Sequence, residues 1–360
     1  MDLAKSRVLV VDDSAFMRRA ISLMLSEDPG IDVVATARNG REGVELAAKL
    51  RPDVITMDIE MPEMDGLTAL RRIMREHPTQ VLMLSSLTVD GSVAALQAMR
   101  IGAADVMAKD NSQVSLSITN IKADLLARVK ALAAARHAAR ARPSVAAVEP
   151  PIDQPPVFRP GQFDVVCIGS STGGPPVLET LLANLPASFT TPILIAQHMP
   201  ELFTRSMSQR LDDISPLRVV HAEDGMTLDK ATAYVAPGGH HLHLHKVGLA
   251  RYQLRVNHEP ASAIYRPSVD ALLASAATAT TSRTLAIILT GIGADGLEGG
   301  RFLHAAGATI LAQAAESCVV YGMPKAVTEN GLVAAALTPT QMVQSLATLA
   351  AGSVPAPALR

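Results

Sequence analysis

The feature that most constrains the fold is a repeated alternation of short β-branched runs with longer segments that carry apolar residues at helical spacing. RVLVVDD (residues 7–13) precedes SAFMRRAISLMLSE, and four similar pairs follow it before residue 134. Such runs predict buried strands, and the longer segments predict amphipathic helices. Strands that alternate with helices pair in parallel, because each helix returns the chain to the same edge of the sheet. We therefore predict an N-terminal domain with a five-stranded parallel sheet and helices on both faces.

A second alternation begins at Phe163, after a segment rich in Ala, Arg and Pro. The chain has 360 residues, which suits two domains of about 100–200 residues each. Residues 232–256 have the alternating pattern of a β-hairpin. We predict two doubly wound α/β domains, with a Rossmann-like, mostly parallel sheet and an antiparallel hairpin in the second. The predicted ranges are 1–128 for the first domain, 129–162 for the linker and 163–355 for the second domain.

Composition excludes several classes of protein. The net charge is −2 and only 18% of residues are charged, so bulk charge does not favour binding to nucleic acid. Cys167 and Cys318 lie in apolar runs, as buried thiols of a reducing compartment do. No uninterrupted apolar run approaches the ~18 residues of a membrane span. We expect a cytoplasmic protein that does not insert into a membrane.

Charged and hydroxyl side chains end four of the five predicted strands of the first domain: Asp12 and Asp13, Asp58, Ser85, and Lys109. Parallel sheets bind ligands outside the carboxyl ends of their strands, so these side chains should share one crevice. Clustered carboxylates repel each other unless a cation offsets their charge, and Mg²⁺ prefers oxygen ligands. Any one of these acids alone would suit a solvated loop or a helix cap. Their coincidence at one edge favours a magnesium site that also accepts a phosphoryl group.

The turn in FDVVCIGSSTGGPPVLETLL (residues 163–182) supports two interpretations. Gly169-x-Ser171-x-Gly173 has the spacing of a nucleophile elbow, in which small residues allow a tight turn between strand and helix. A glycine-rich turn before a helix also suits a bound phosphate, although the chain has neither GxGxxG nor GxxxxGK[ST]. The turn by itself leaves both interpretations open.

Two further strand ends favour the nucleophile. The next predicted strand ends at His198, and a later one leads into a glycine-rich turn that carries Asp295. A serine nucleophile requires a base within hydrogen-bond reach and a third group that orients the base. We therefore predict that Ser171, His198 and Asp295 are catalytic. The principal alternative is a phosphorylation-controlled module that binds an anion or nucleotide without catalysis.

Two other interpretations are disfavoured. A DNA-binding regulator would need a compact basic helix-turn-helix, which the second half lacks. The histidines of HHLHLH (residues 240–245) suggest a metal site, but the hairpin supplies no carboxylate or cysteine to complete a ligand set. A polar hairpin face explains them.

The first domain resembles the receiver domain of two-component response regulators over about residues 5–128. The resemblance is carried by VVDDS, DVITMDIEMPEMDGL, VLMLSS and the Lys109 site. It implies a flavodoxin-like fold in which Asp58 accepts a phosphoryl group from a sensor histidine kinase. Asp12, Asp13 and Asp58 would hold Mg²⁺, Ser85 would contact the phosphoryl group, and Lys109 would pair with it.

The receiver pattern is broken at two positions. Receivers usually have proline after the lysine, where this chain has Asp110, and often an aromatic residue at the position of Val106. These departures suggest a different activation relay but do not affect phosphoryl acceptance.

The second domain resembles the catalytic domain of chemotaxis protein-glutamate methylesterases. The resemblance is carried by IGSSTGG, AQHMP, YVAPGG, YRPSVDALL and LTGIGADG. The three predicted catalytic residues follow one another along the chain as Ser, His and Asp, whereas α/β-hydrolases have the order Ser, Asp, His. The resemblance implies hydrolysis of glutamate γ-methyl esters on methyl-accepting chemoreceptors, release of methanol, and deamidation of receptor glutamines. It implies phosphorylation control, no cofactor for the esterase reaction and a monomer. Backbone N–H groups near Thr172 and at Ile292, where the family often has methionine, are the expected oxyanion donors.

Overall fold

The computed structural model describes residues 5–109, 117–141, 155–249 and 251–350. The chain divides into two compact units between residues 147 and 148. None of the helices in these described ranges combines the length and apolar character needed to cross a membrane.

The first unit contains the predicted five-stranded parallel sheet, with strand order β2-β1-β3-β4-β5. Helix α1 contacts α5, while α2 contacts α3 and α3 contacts α4, so the helices form two groups as in a doubly wound fold. The strands are β1 Ser6–Val11, β2 Ile31–Ala37, β3 Val54–Asp58, β4 Gln80–Ser86 and β5 Asp105–Lys109. The helices are α1 Ala15–Ser26, α2 Gly40–Leu50, α3 Gly66–Glu76, α4 Val89–Ile101 and α5 Ser117–Ala141.

Local sequence explains where these helices begin. Each of the first four has a polar N-cap whose side chain accepts a hydrogen bond from a backbone N–H in the first turn, and such a cap contributes about 1 kcal/mol. The caps are Ser14, Asn39, Asp65 and Thr88. Because the caps follow strands or short loops, the predicted strand–helix alternation is reproduced closely.

Helix α5 extends beyond residue 128, where we predicted the linker to begin. Leu132 and Ala133 are buried, and Arg140 pairs with the buried Asp53 at 2.9 Å. These contacts assign residues 129–141 to the first unit, because burial of one helix face favours continuing the helix. The middle of the predicted linker, residues 142–154, lies outside the described residues.

The second unit has a seven-stranded sheet with order β14-β13-β12-β6-β7-β9-β8. Its strands, with the hairpin β10–β11, are β6 Val165–Ser170, β7 Ile193–Gln197, β8 Arg218–His221, β9 Thr232–Val235, β10 His241–Gly248, β11 Arg251–Asn257, β12 Thr284–Ile288, β13 Thr309–Gln313 and β14 Ala335–Leu337. The helices are α6 Gly174–Ala183, α7 Glu201–Ile214, α8 Val269–Thr280, α9 Leu297–Ala305, α10 Met323–Glu329 and α11 Pro339–Ala347.

The topology confirms the predicted parallel sheet with an antiparallel hairpin, but the hairpin begins at His241: Thr232–Val235, which we predicted as part of it, forms β9 of the large sheet because it pairs in parallel with β7 and β8. Each pair of neighbouring strands in the large sheet is parallel, and the hairpin forms a separate two-stranded sheet that contacts α8. Leu242, Leu244 and Leu254 of the hairpin are buried in the core. The strand order reverses at β6, which lies between β7 and β12, and such a reversal opens a crevice at the carboxyl ends of the strands.

Candidate functional site

The acidic residues of the first unit meet at the carboxyl edge of its sheet, as predicted. Asp12 follows β1, and Asp58 is the last residue of the adjacent β3. The Nζ of Lys109 contacts Asp12 Oδ2 at 2.8 Å and Asp58 Oδ2 at 2.7 Å. One ammonium group therefore bridges two buried carboxylates.

The electrostatics of the pocket reflect burial and this ion pair. Burial raises the pKa of Asp58; Lys109 partly offsets the rise, and the charge of Asp12 adds to it. Burial alone would lower the pKa of Lys109, but its hydrogen bonds to Asp12 and Asp58 raise it above the usual range. Lys109 is consequently protonated and places a positive charge beside Asp58.

The same carboxylates have the chemistry of a site for a hard divalent cation. Oxygen atoms of Asp12, Asp13 and Asp58 lie within 4.8 Å of one another, and Asp13 is exposed to incoming ligands. Mg²⁺ is commonly held by a few carboxylates while keeping several waters. The residues present therefore fit the Mg²⁺ that the receiver resemblance implies.

Ser85 lies near the end of β4, beside β3, and is buried. Its hydroxyl donates to the Gly91 carbonyl at 2.8 Å, and no hydrogen bond links it to Asp58 among the described residues. Val106 is buried in β5, and Asp110 lies outside the described residues. The role of Ser85 toward a phosphoryl group stays a prediction.

In the second unit, Ser171 lies in the tight turn between β6 and α6. Gly173 has φ +78°, and a Cβ there would lie 2.5 Å from Val319 Cγ2, so the turn requires glycine. Gly291, which follows β12, packs closely against this turn: a Cβ on Gly291 would lie 2.7 Å from Ser171 Cβ. The serine is thus held at the strand-order reversal, close to the glycine-rich turn that carries Asp295.

His198 and Asp295 form a buried pair at this edge. His198 Nε2 lies 2.8 Å from Asp295 Oδ2, and the two side chains are only 5% and 7% exposed. Because Nε2 faces a carboxylate, the ring carries its proton there when it is neutral. Nδ1 is buried and has no hydrogen-bond partner among the residues that the structure describes. The free basic nitrogen is therefore Nδ1.

Ser171 is placed beside this pair without being bonded to it. The backbone N–H of His198 donates to the Ser170 carbonyl at 3.0 Å, which holds the two strand ends together. Within the described part of the chain, no hydrogen bond joins Ser171 Oγ to the imidazole. Catalytic hydrogen bonds are often long without substrate and tighten when substrate binds.

Asp295 accepts four hydrogen bonds. Besides His198, the donors are Val269 N at 2.8 Å, Asp270 N at 2.9 Å and Ser268 Oγ at 3.1 Å. Burial alone would raise the pKa of Asp295, but the bonds from His198 and the two N–H groups hold it below its usual range. Asp295 is therefore a stable anion that faces the imidazole.

Gln197 and Thr290, which sequence reasoning missed, hold the backbone around Ser171. Gln197 Nε2 donates to the Ser171 carbonyl at 3.0 Å, and Thr290 Oγ1 donates to the Thr172 carbonyl at 3.0 Å. In a trans peptide the N–H points opposite to the carbonyl, so the Thr172 N–H is directed away from Gln197. The sequence did offer one indication of Gln197: it directly precedes His198 in the motif AQHMP.

The turn after β12 is held in the same way. The Gly291 carbonyl accepts from Gly322 N at 3.1 Å and Met323 N at 3.0 Å. The N–H of Ile292 in the same peptide points in the opposite direction. The two predicted oxyanion donors therefore belong to peptide groups with fixed orientations.

Tyr265 was also missed, although it lies in the quoted motif YRPSVDALL. Its ring stacks on the imidazole of His198 with centroids 4.2 Å apart and planes inclined by 10°. This contact covers one face of the imidazole and restricts its rotation.

Among the residues that the structure describes, the hairpin histidines belong to no group placed to share a metal ion. Across the described ranges, the acidic residues of the first unit are the one group placed to share an ion. His241 Nδ1 instead accepts from Ser268 N at 3.1 Å, and His243 Nε2 lies 2.9 Å from the Glu259 carbonyl oxygen.

Comparison with known proteins gives consistent findings. A family model for CheB methylesterase matches residues 166–346, and one for the response regulator receiver domain matches residues 8–119. A protein-glutamate methylesterase/protein-glutamine glutaminase 1 of Oleidesulfovibrio alaskensis is 47% identical over 94% of this chain and 98% of its own length. A protein-glutamate methylesterase/protein-glutamine glutaminase of Geobacillus kaustophilus is 45% identical over 91% of this chain and 93% of its own length. The crystal structure of the Thermotoga maritima CheB methylesterase catalytic domain is similar with a TM-score of 0.50 and 41% identity, over 52% of this chain and 98% of that one.

Proposed function

This chain belongs to the family of protein-glutamate methylesterases/protein-glutamine glutaminases with a receiver domain, and from that premise we propose that Ser171, His198 and Asp295 carry out the hydrolysis. It is a phosphorylation-regulated enzyme that hydrolyses glutamate methyl esters and deamidates glutamines in proteins. The observation that best supports the assignment of residues is the buried His198–Asp295 pair beside the Ser171 turn.

The proposed mechanism follows from the ring nitrogen that the pair leaves free. His198 Nδ1 removes the proton of Ser171 as its Oγ attacks the ester carbonyl, and Asp295 stabilises the imidazolium through Nε2–H. The tetrahedral intermediate collapses to an acyl-enzyme, and the imidazolium gives its proton to the departing methanol. His198 then deprotonates a water that attacks the acyl group, and Ser171 regains its proton as glutamate is released.

Deamidation uses the same steps with glutamine. The imidazolium protonates the departing amine, so ammonia leaves in place of methanol, and the acyl-enzyme is identical. A single set of residues therefore accounts for both activities of the family.

The backbone N–H groups of Thr172 and Ile292 are the proposed oxyanion donors. Their peptides are oriented by Gln197 and by the N–H groups of Gly322 and Met323, so the donors need no reorganisation during the reaction. One such donor contributes about 2.7–4 kcal/mol to stabilising the transition state.

In the receiver, we propose that a carboxylate oxygen of Asp58 attacks the phosphorus of the donor, and that the phosphorus–nitrogen bond to the kinase histidine breaks as the aspartyl phosphate forms. Mg²⁺ held by Asp12, Asp13 and Asp58 would neutralise charge on the transferred phosphoryl group. Lys109, now paired with Asp58, would move its ammonium to the phosphoryl oxygens. A histidine kinase is the partner that a receiver domain implies, and chemoreceptors are the proposed protein substrate; the monomeric state stays a prediction.

Asp58→Asn is expected to abolish phosphorylation, because an amide lacks the nucleophilic carboxylate oxygen. Intact-mass spectrometry after incubation with acetyl phosphate and Mg²⁺ should detect one added phosphoryl group on the wild type and none on the variant. The increase in methanol release caused by the phosphodonor should also be lost. Asp32→Asn, an exposed carboxylate at the start of β2, is the control and should behave as wild type. A phosphoryl group on Asp58→Asn would contradict the assignment.

Asp13→Asn is expected to weaken Mg²⁺ binding by about tenfold or more, because one anionic oxygen ligand is lost. Isothermal titration of the full chain with MgCl₂ measures the affinity, with Asp32→Asn again as the control. An unchanged affinity would show that Asp13 does not contribute to the site.

The experiment that tests the proposed activity is methanol release from a methylated cytoplasmic fragment of a chemoreceptor by the full chain. Trapping of an acyl group on Ser171, detected by mass spectrometry of the quenched reaction, would identify the nucleophile. A module that only binds nucleotides or other anions would give neither methanol nor a covalent adduct.

A further inference from the structure

We propose that Asp270 is a positioning residue that holds Asp295 against His198, an inference that rests on the hydrolysis proposed for this site. Asp270 lies in the first turn of α8 and does not touch the imidazole in any described contact. Its influence would pass through the turn that carries Asp295.

Asp295 needs such support because the sheet does not fix it directly. Ser171 and His198 each follow the last residue of a strand, whereas Asp295 comes seven residues after Ile288, the end of β12. Gly293 lies in the intervening turn and Gly296 follows Asp295 directly, and both have positive φ. A glycine-rich turn of this length has many accessible conformations, so other contacts must select the one observed.

Asp270 supplies such contacts to Asp295 and to the residues that follow it. Its Oδ1 accepts from Gly296 N at 2.9 Å and from Gly299 N at 2.8 Å. Its own backbone N–H donates to Asp295 Oδ1 at 2.9 Å. Three hydrogen bonds of Asp270 therefore tie the Asp295 turn and the start of α9 to the start of α8.

The arrangement is reciprocal between two helices. Asp295 accepts N–H groups at the N-terminus of α8, and Asp270 accepts N–H groups at the N-terminus of α9. Each carboxylate thus satisfies donors that a helix start leaves unpaired. The helices approach closely here, since a Cβ on Gly299 would lie 2.6 Å from the Asp270 carbonyl oxygen. A shift of α9 relative to α8 would move Asp295 directly.

Asp295 is the more acidic of the two carboxyl groups. Burial raises the pKa of Asp270 to about 6, and the neighbouring Asp295 adds to the rise. The pKa of Asp295 is lowered, because it faces His198 and receives more hydrogen bonds. A single oxygen of Asp270 accepts both the Gly296 and Gly299 N–H groups, so an amide oxygen can replace it, and asparagine is the matched conservative variant.

The test compares Asp270→Ala, Asp270→Asn and Glu298→Ala in the full chain with methylated receptor fragment. Asp270→Ala should lower kcat for methanol release by about 10–100-fold with KM within about twofold, since a misplaced catalytic group costs rate and not binding. Asp270→Asn keeps an oxygen for Gly296 and Gly299 and should stay within about threefold of wild type. Glu298 is an exposed carboxylate in the first turn of α9 that contacts Arg301, so Glu298→Ala should have no effect.

A second measurement reports the geometry without the reaction. The Nε2–H proton of His198 should give a slowly exchanging, downfield NMR signal in wild type and Asp270→Asn, and a broadened or missing one in Asp270→Ala. Thermal unfolding followed by circular dichroism establishes that the variants are folded. If Asp270→Ala is unfolded, Asp270→Ser, whose hydroxyl is too short to reach both N–H groups, should show the same loss of kcat.

Several results would overturn the proposal: wild-type kcat and NMR signal in Asp270→Ala, a loss confined to KM, or equal losses in Asp270→Asn and Asp270→Ala. Failure of the proposed function is distinguishable. In that case the wild-type enzyme and Ser171→Ala would release methanol at the same rate, while the NMR signal would still report whether Asp270 positions the Asp295–His198 pair.

Discussion

Ser171→Ala is expected to lower kcat for methanol release by about 10⁶-fold, the scale on which loss of a serine nucleophile acts in triad hydrolases. Without Oγ no acyl-enzyme forms, and the imidazole has no hydroxyl to deprotonate. The oxyanion donors are backbone groups and remain, so a small residual rate over the uncatalysed reaction should persist. Deamidation should fall in parallel, because both reactions begin with the same attack.

The measurement is methanol production from methylated receptor fragment, with ammonia release from the glutamine form as the second readout. Ser282→Ala is the control: Ser282 is an exposed serine just before β12, at the opposite edge of the sheet from Ser171. The loss of one small hydroxyl should leave the thermal unfolding temperature nearly unchanged. A rate within tenfold of wild type would refute Ser171 as the nucleophile.

Asp295→Asn should reduce kcat by about 10⁴-fold, a loss expected when the carboxylate of a triad is replaced by its amide. The carboxylate accepts on both oxygens, from His198 and Val269 N on one side and from Ser268 Oγ and Asp270 N on the other. Asparagine has one oxygen, so its NH₂ must face a donor on one side or the other. If it faces His198, it stabilises the tautomer with the proton on Nδ1, which cannot accept the serine proton.

Steady-state kinetics of Asp295→Asn should show the loss in kcat with little change in KM, because the residue does not contact the ester. Asp213→Asn, at an exposed carboxylate near the end of α7, is the matched control and should be indistinguishable from wild type. Histidine NMR spectra provide an independent readout, since the nitrogen that carries the proton should change from Nε2 to Nδ1. Activity within tenfold of wild type would contradict a role for Asp295 in orienting His198.

Much of the fold could be predicted because it depends on local rules. Apolar periodicity marked the strands and helices, and residues such as Ser14 and Asn39 are recognisable helix caps from sequence alone. The same reasoning selected Asp58, Ser171 and His198 as candidate residues, since each lies at or next to a strand end. It failed at the end of α5, where the length of the helix depends on what Leu132 and Ala133 pack against rather than on the local sequence.

The sequence by itself determined which residues can perform chemistry, the alternation of strands and helices, and the parallel sense of both sheets. Only the tertiary structure decided that β12 lies beside β6, so that Asp295 meets a histidine 97 residues earlier in the chain. It also decided which nitrogen of His198 faces the carboxylate, and it placed Gln197, Thr290, Tyr265 and Asp270 around the site. The physical reason is that strand and helix formation follow from neighbours along the chain. Strand order and hydrogen bonds between distant turns instead depend on how whole elements bury their apolar faces against one another.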